Sequence, residues 1–229
     1  MTPGTQKITI PVDGSVSVSA LVHAPADPTA CYVFAHGAGA GMAHPFMSAV
    51  SEGLAARKIA TLRYQFPYME LGSKRPDSPR VAHAAVRAAV AQAAGMFGSL
   101  RLFAGGKSFG GRMSSQAQAL APLPGVAGLV FVGFPLHPAG SPSTERAAHL
   151  LDVQVPMLFI QGTEDKLAEL ARIRSVVEAL GDRGSLMEIA HADHSFHVPR
   201  RSGRSDDEAM EELLDGMAIW MHAGQVAGP

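Results

Sequence analysis

The stretch AGGKSFGGRM, residues 104–113, sets a serine among glycines: Gly106-x-Ser108-x-Gly110, with another glycine at 111. Two chemistries use such a string. A phosphate-binding loop ends in Gly-Lys-Ser, as residues 106–108 do, but it also needs a glycine five residues before the Gly-Lys, so that the backbone can wrap the phosphates. That position is Arg101, inside an apolar strand-like run, so the loop is too short. The other chemistry is nucleophilic attack. Small neighbours let a serine stand in the strained turn between a strand and a helix, where its hydroxyl projects over the sheet. The flanks LRLFAGG and FGGRMSSQAQAL are a strand and a helix in that order, which favours a nucleophile at Ser108 over a plain helix cap.

A serine hydroxyl needs a histidine base to attack a carbonyl, and the base needs a carboxylate to orient it. In hydrolases built on a parallel sheet, these follow the serine in the order acid, then histidine, each on a loop after a later strand. Thr163-Glu164-Asp165 follows the strand-like VPMLFIQG, and His191-Ala-Asp193-His194-Ser195-Phe196-His197 follows SLMEIA. Asp165 is therefore the expected acid and His194 the expected base, with His197 in reserve and His191 a strand-end or surface residue. An H-x-D-H string also occurs in metal hydrolases as H-x-H-x-D-H, but Ile189 stands at the first histidine position, so no metal is expected.

The tetrahedral intermediate needs two backbone N–H donors. Phe109, after the serine, is the first. The second is expected from His36-Gly-Ala-Gly-Ala-Gly41, through Ala38 or Gly39. A dinucleotide fingerprint starting at Gly37 would require glycine at 42, where the chain has Met42. No cofactor is expected.

These residues need a frame to hold them. KITIPV and SVSVSALV alternate around Asp13-Gly14, a hairpin signature. Short apolar strands then alternate with helical segments: CYVFAHG, ATLRYQF, LRLFAGG, VAGLVFVGF, VPMLFIQG and SLMEIA are the strands. A long alanine-rich helix is expected over 81–96. Leu170, Ile173, Val177 and Leu180 share one helical stripe, and an amphipathic helix over 206–224 closes the chain. This pattern predicts an α/β fold, a mostly parallel sheet with helices on both faces and ligands at the strands' carboxyl ends. No repeat or linker divides residues 1–229, so one domain is expected.

With 229 residues, 47% hydrophobic and a net charge of −1, the chain has an ordinary globular composition and no field to draw nucleic acid or a membrane surface. Its single cysteine, Cys31, sits in an apolar run and reads as core. One cysteine and no leader-like N-terminus suggest the cytoplasm, and no apolar run is long enough to span a bilayer. The expected partner is a small acyl substrate.

HGAGAG, GGKSFGGRM, LFIQGTED and ADHSF, in this order, resemble the α/β-hydrolase superfamily over nearly the whole chain. RYQFPYME and the short C-terminal DHSF narrow the resemblance to the small dienelactone-hydrolase-like branch, which also holds relatives of a subunit of the nonspecific-lethal chromatin complex. The resemblance implies an eight-stranded sheet and a triad of Ser108, Asp165 and His194. Dienelactone hydrolases of this type use cysteine where this chain has Ser108, so dienelactone cleavage is not carried over. Many α/β-hydrolases insert a helical cap between VFVGF and VPMLFIQG, but here residues 137–155 hold little more than one short helix, so little or no cap is expected. Phe46, Met47, Tyr68, Met69 and Phe134 are candidates for the substrate pocket.

The expected activity is hydrolysis of a carboxylic ester or related acyl compound through an acyl-enzyme. An acyltransferase would share that intermediate, and a non-catalytic binding or scaffold protein could share the fold.

Overall fold

The computed structural model describes residues 4–223. Met1–Pro3, part of the N-terminal stretch read for a leader, and Gly224, expected at the end of the last helix, lie outside the described residues.

The hairpin forms as expected: β1 (Thr5–Pro11) pairs antiparallel with β2 (Ser17–His23). The Asp13 carboxylate ties the turn by accepting from the Ser15 and Val16 N–H groups. The remaining strands are β3 (Ala30–Ala35), β4 (Ile59–Tyr64), β5 (Arg101–Lys107), β6 (Val126–Val132), β7 (Met157–Gly162) and β8 (Gly184–Ile189). They join in one eight-stranded sheet of order β1-β2-β4-β3-β5-β6-β7-β8. Only the β1–β2 and β2–β4 pairs are antiparallel, and β3 to β8 run parallel.

The inner parallel strands β3 to β7 are buried on both faces, so they read as continuous apolar runs, while β8 at the sheet edge is half-buried. Along β3 the faces alternate: Cys31, Val33 and Ala35 point into one core, Tyr32 and Phe34 into the other. Burial pushes the Cys31 thiol up to about 12, so it stays an unreactive core group.

Helices α1 (Pro45–Ala56) and α6 (Asp206–Ala223) cover one face. The other carries α3 (Pro79–Phe97), α4 (Phe109–Leu120) and α5 (Leu170–Ala179), with α2 (Pro67–Glu70) a single turn beside them. The α5 stripe is real: Ile173, Val177 and Leu180 are buried, and Leu170 packs against the same core. Between β6 and β7 lies one 3-10 helix, Glu145–Asp152, where a cap could have been inserted. The fold is that of an α/β-hydrolase without a cap. Among the described residues, no helix is long and apolar enough to cross a membrane.

Candidate active site

The carboxyl ends of β3, β5, β7 and β8 all release their loops on one edge of the sheet. Ser108 follows β5 with φ 51° and ψ −112°, a conformation that side chains rarely adopt. Close packing forces it. A Cβ on Gly106 would lie 2.4 Å from the Ala35 carbonyl oxygen, and one on Gly110 would lie 2.5 Å from it. The strand and helix on either side of Ser108 can therefore press against β3 only as glycine, and the serine between them takes the strain.

Asp165 lies three residues beyond β7, and its side chain is fully buried. His194 lies five residues beyond β8. His194 Nδ1 is 2.7 Å from Asp165 Oδ2, and His194 Nε2 is 2.9 Å from Ser108 Oγ. A carboxylate only accepts, so Nδ1 carries the ring hydrogen and Nε2 offers its lone pair to the serine hydroxyl. Asp165 has two further donors: Gln161 Nε2 at 2.5 Å and the Leu167 N–H at 2.8 Å. Gln161 is locked in turn by the Phe134 N–H, which donates to its Oε1 at 2.9 Å. The His194 ring is thus oriented by a carboxylate that is itself held by two donors.

The other two histidines of the loop turn elsewhere. His191 Nδ1 lies 3.6 Å from a Glu164 carboxylate oxygen, and His197 bonds Asp206 at 2.9 Å. Asp193 shapes the loop by accepting from the Ser195 and His197 N–H groups.

On the glycine-rich loop after β3, the Gly39 N–H donates to the Tyr68 hydroxyl at 2.8 Å. That bond occupies the Gly39 N–H, while Ala38 lines the same pocket as Ser108. Phe109 is the first residue of α4, where an N–H has no acceptor within the helix. The loop is anchored by His36, whose Nε2 accepts from the Phe66 N–H and whose Nδ1 donates to the Gly37 carbonyl. Burial pushes the His36 pKa down to about 4, so the ring stays neutral for this role.

A pocket of about 340 Å³ opens beside Ser108 and His194, with Ala40, Phe46, Met47 and Leu167 on its walls. Phe46 and Met47 are where the sequence placed them. Tyr68, Met69 and Phe134 are not on its walls. Tyr68 is spent on Gly39, while Met69 packs near Gly41. Phe134 is fully buried against Phe131 and Phe159, because the chain turns back into the core at Gly133. Sequence reasoning also missed Gln161 and Lys107. Gln161 is a polar residue ending an apolar strand, a signal that was there to read. Lys107 was visible only as part of the rejected phosphate loop.

This sheet, with a serine on the turn after β5 and acid and histidine loops after β7 and β8, defines the α/β-hydrolase class. The chain belongs to the alpha/beta hydrolase domain family, whose sequence model matches residues 28–222. Solved structures that share its fold include the following three. Dienelactone hydrolase from Anabaena variabilis is 21% identical with a TM-score of 0.77, over 96% of this chain and 98% of that one. An α/β serine hydrolase without lid from Xanthomonas campestris is 18% identical with a TM-score of 0.73, over 100% and 98%. The esterase domain of a Rhodothermus marinus protein is 16% identical with a TM-score of 0.72, over 96% and 98%.

Proposed function

We propose that this protein is a serine hydrolase of carboxylic esters or closely related acyl compounds. The observation that carries the reading is the unbroken line of hydrogen bonds from Ser108 Oγ through His194 to the buried carboxylate of Asp165. Ser108 Oγ attacks the carbonyl carbon while His194 Nε2 takes its proton. The tetrahedral oxyanion sits between the N–H groups of Phe109 and Ala38, and Asp165 stabilises the imidazolium. The ester C–O bond then breaks, and His194 passes the proton to the departing alcohol. Water, deprotonated by His194, attacks the acyl-enzyme and releases the acid.

The names of the neighbouring structures, an esterase domain and a serine hydrolase without lid, support this class of reaction. The short 3-10 connection in place of a cap supports small or accessible substrates. The single buried cysteine supports a cytoplasmic setting.

The test is intact mass after exposure to a fluorophosphonate, with turnover of short-chain esters measured in parallel. One adduct per chain, absent from a folded Ser108→Ala protein together with the turnover, is the expected result. A Ser108→Ala protein that keeps its ester turnover would overturn the reading.

A further inference from the structure

Ser108 borders two hollows. One is the pocket beside His194 described above. The other, about 330 Å³, shares Ala38 and Leu167 with the first and has Phe109 on its walls. Arg112, Arg146, Asp77 and Pro135 are on its walls, and His194 is not. Arg112 comes from α4, one turn beyond the serine, where its N–H donates to the Ser108 carbonyl at 3.2 Å. Arg146 comes from the 3-10 helix between β6 and β7.

The two guanidinium groups stand out by what they lack. Arg57, half-buried, is paired with Glu211 and Asp215. Arg63 and Arg87, also out of full solvent, donate to backbone carbonyls. Among the described residues neither Arg112 nor Arg146 has a side-chain hydrogen bond or ion pair, and Arg112 Nε is buried with no acceptor. Burial and the Arg146 charge both lower the Arg112 pKa. Asp77 is the one carboxylate on these walls, and its Oδ2 already accepts from the Tyr68 N–H at 3.0 Å. His149, close to Arg112, is held near pKa 4 by burial and by that same charge. The walls carry two cations and one anion, so a single negative charge would balance them.

The direction of the reaction decides which half of the substrate meets these arginines. The departing oxygen must reach His194 Nε2 to receive its proton, so the alcohol side lies in the hollow that His194 lines. The acyl side is then left the hollow that Phe109 and Arg112 line and His194 does not.

We propose that the second hollow is the acyl subsite and that it takes an acyl chain ending in a carboxylate, which makes the substrate a half-ester of a dicarboxylic acid. The proposal rests on the ester-hydrolase reading above. A carboxylate meets a guanidinium through two parallel hydrogen bonds, which would satisfy the orphaned arginine donors, and its single charge matches the surplus. A phosphate dianion would overshoot that charge beside Asp77. Half-ester and water give the alcohol, the dicarboxylate and one proton released to solvent.

The experiment compares monomethyl half-esters of succinic, glutaric and adipic acids with their neutral dimethyl esters. The best half-ester is expected to exceed its diester in kcat/KM by about tenfold or more, a preference that weakens as salt is added. Arg112→Gln and Arg146→Gln are expected to erase the preference, Arg112→Lys to restore part of it, and Arg201→Gln, away from the hollow, to keep it. A binding arm needs no turnover: the folded Ser108→Ala protein is titrated with the same half-esters by calorimetry, with and without Arg112→Gln. Arginine-dependent binding without any turnover would sink the ester reading while keeping the anionic subsite. Turnover with no preference for the half-esters, or a preference untouched by either arginine variant, would overturn the subsite and leave the ester reading standing. Tighter binding of a phosphonate-ended chain would overturn the choice of carboxylate.

Discussion

The Lys107 ammonium donates a hydrogen bond to the His194 backbone carbonyl at 2.5 Å, so the residue just before the serine grips the residue that faces it. Its charge also lies over the Phe46 and Phe196 rings, 5.9 and 5.3 Å from their centroids. Room for it exists because Gly133, at φ 68°, has no side chain: a Cβ there would sit 2.8 Å from Nζ. This cross-link holds the histidine loop at hydrogen-bonding distance from Ser108. Replacing Lys107 by Met is expected to lower kcat and the rate of fluorophosphonate labelling together, by about tenfold, with the fold intact by circular dichroism.

The same ammonium gives a pH signature. Burial lowers its pKa from 10.5 to about 8, against the pull of Asp165 and Asp193. The unfolded chain therefore holds this proton to higher pH than the folded one does, and the group's contribution to stability improves as pH rises from about 8 to 10.5. Chemical unfolding across that window should show the improvement in the wild type and a flatter profile in Lys107→Met.

Ser108 bears a backbone conformation that suits glycine. Ser108→Gly should relieve about 1–3 kcal/mol of strain, less about 0.5–1 kcal/mol for glycine's greater freedom when unfolded. Urea titration is expected to find the variant more stable than wild type while its labelling and turnover vanish. A less stable variant would mean that the turn is unstrained.

The acid is tested in two steps. Asp165→Asn, by removing the carboxylate that fixes the histidine tautomer, should cost about 10³–10⁴-fold in kcat. Gln161→Leu leaves the acid in place but removes one of its donors and strands the Phe134 N–H. It should lower stability by about 1–3 kcal/mol and kcat by less than Asp165→Asn does. Equal losses of kcat in the two variants would contradict this order.

His36 is buried and His149 half-buried, and both have pKa values pushed down from 6.5 to about 4. Between these values the unfolded chain takes up protons that the folded chain refuses, so their contribution to stability falls as pH drops from about 6.5 to 4. Thermal unfolding from pH 7 to 4 should show the decline, and His149→Gln should make it shallower.

Periodicity carried most of the fold. Strands buried on both faces and helices with one apolar stripe have different spacings, and β3 to β8 and their helices follow those spacings closely. The positions of Ser108, Asp165 and His194 were legible for a related reason: each sits just past the carboxyl end of an apolar run, and the sheet brings those ends together. Residues whose roles depend on loop paths were not legible. Gly39 and Tyr68 fit a donor and a pocket wall equally well until the loop after β3 meets α2 and the two bond to each other. Phe134 looked like a pocket residue because it follows a strand, but the reversal at Gly133 returns it to the core. Arg112 and Arg146 are 34 positions apart, and only the packing of the 3-10 helix beside α4 sets them around one hollow.

The segment between β6 and β7 adds no strand to the sheet and supplies none of Ser108, Asp165, His194, Phe109 or Ala38. It does carry Arg146 to the edge of the second hollow. Of the two arginines, Arg112 is thus tied to the helix that follows Ser108, whereas Arg146 sits on a short insert between two fixed strand ends. On the proposed subsite, grafting a different segment between Leu136 and Val153 would rebuild the Arg146 wall of that hollow while leaving Ser108, Asp165 and His194 where they stand. That wall is the exchangeable part, like a cartridge in a fixed housing.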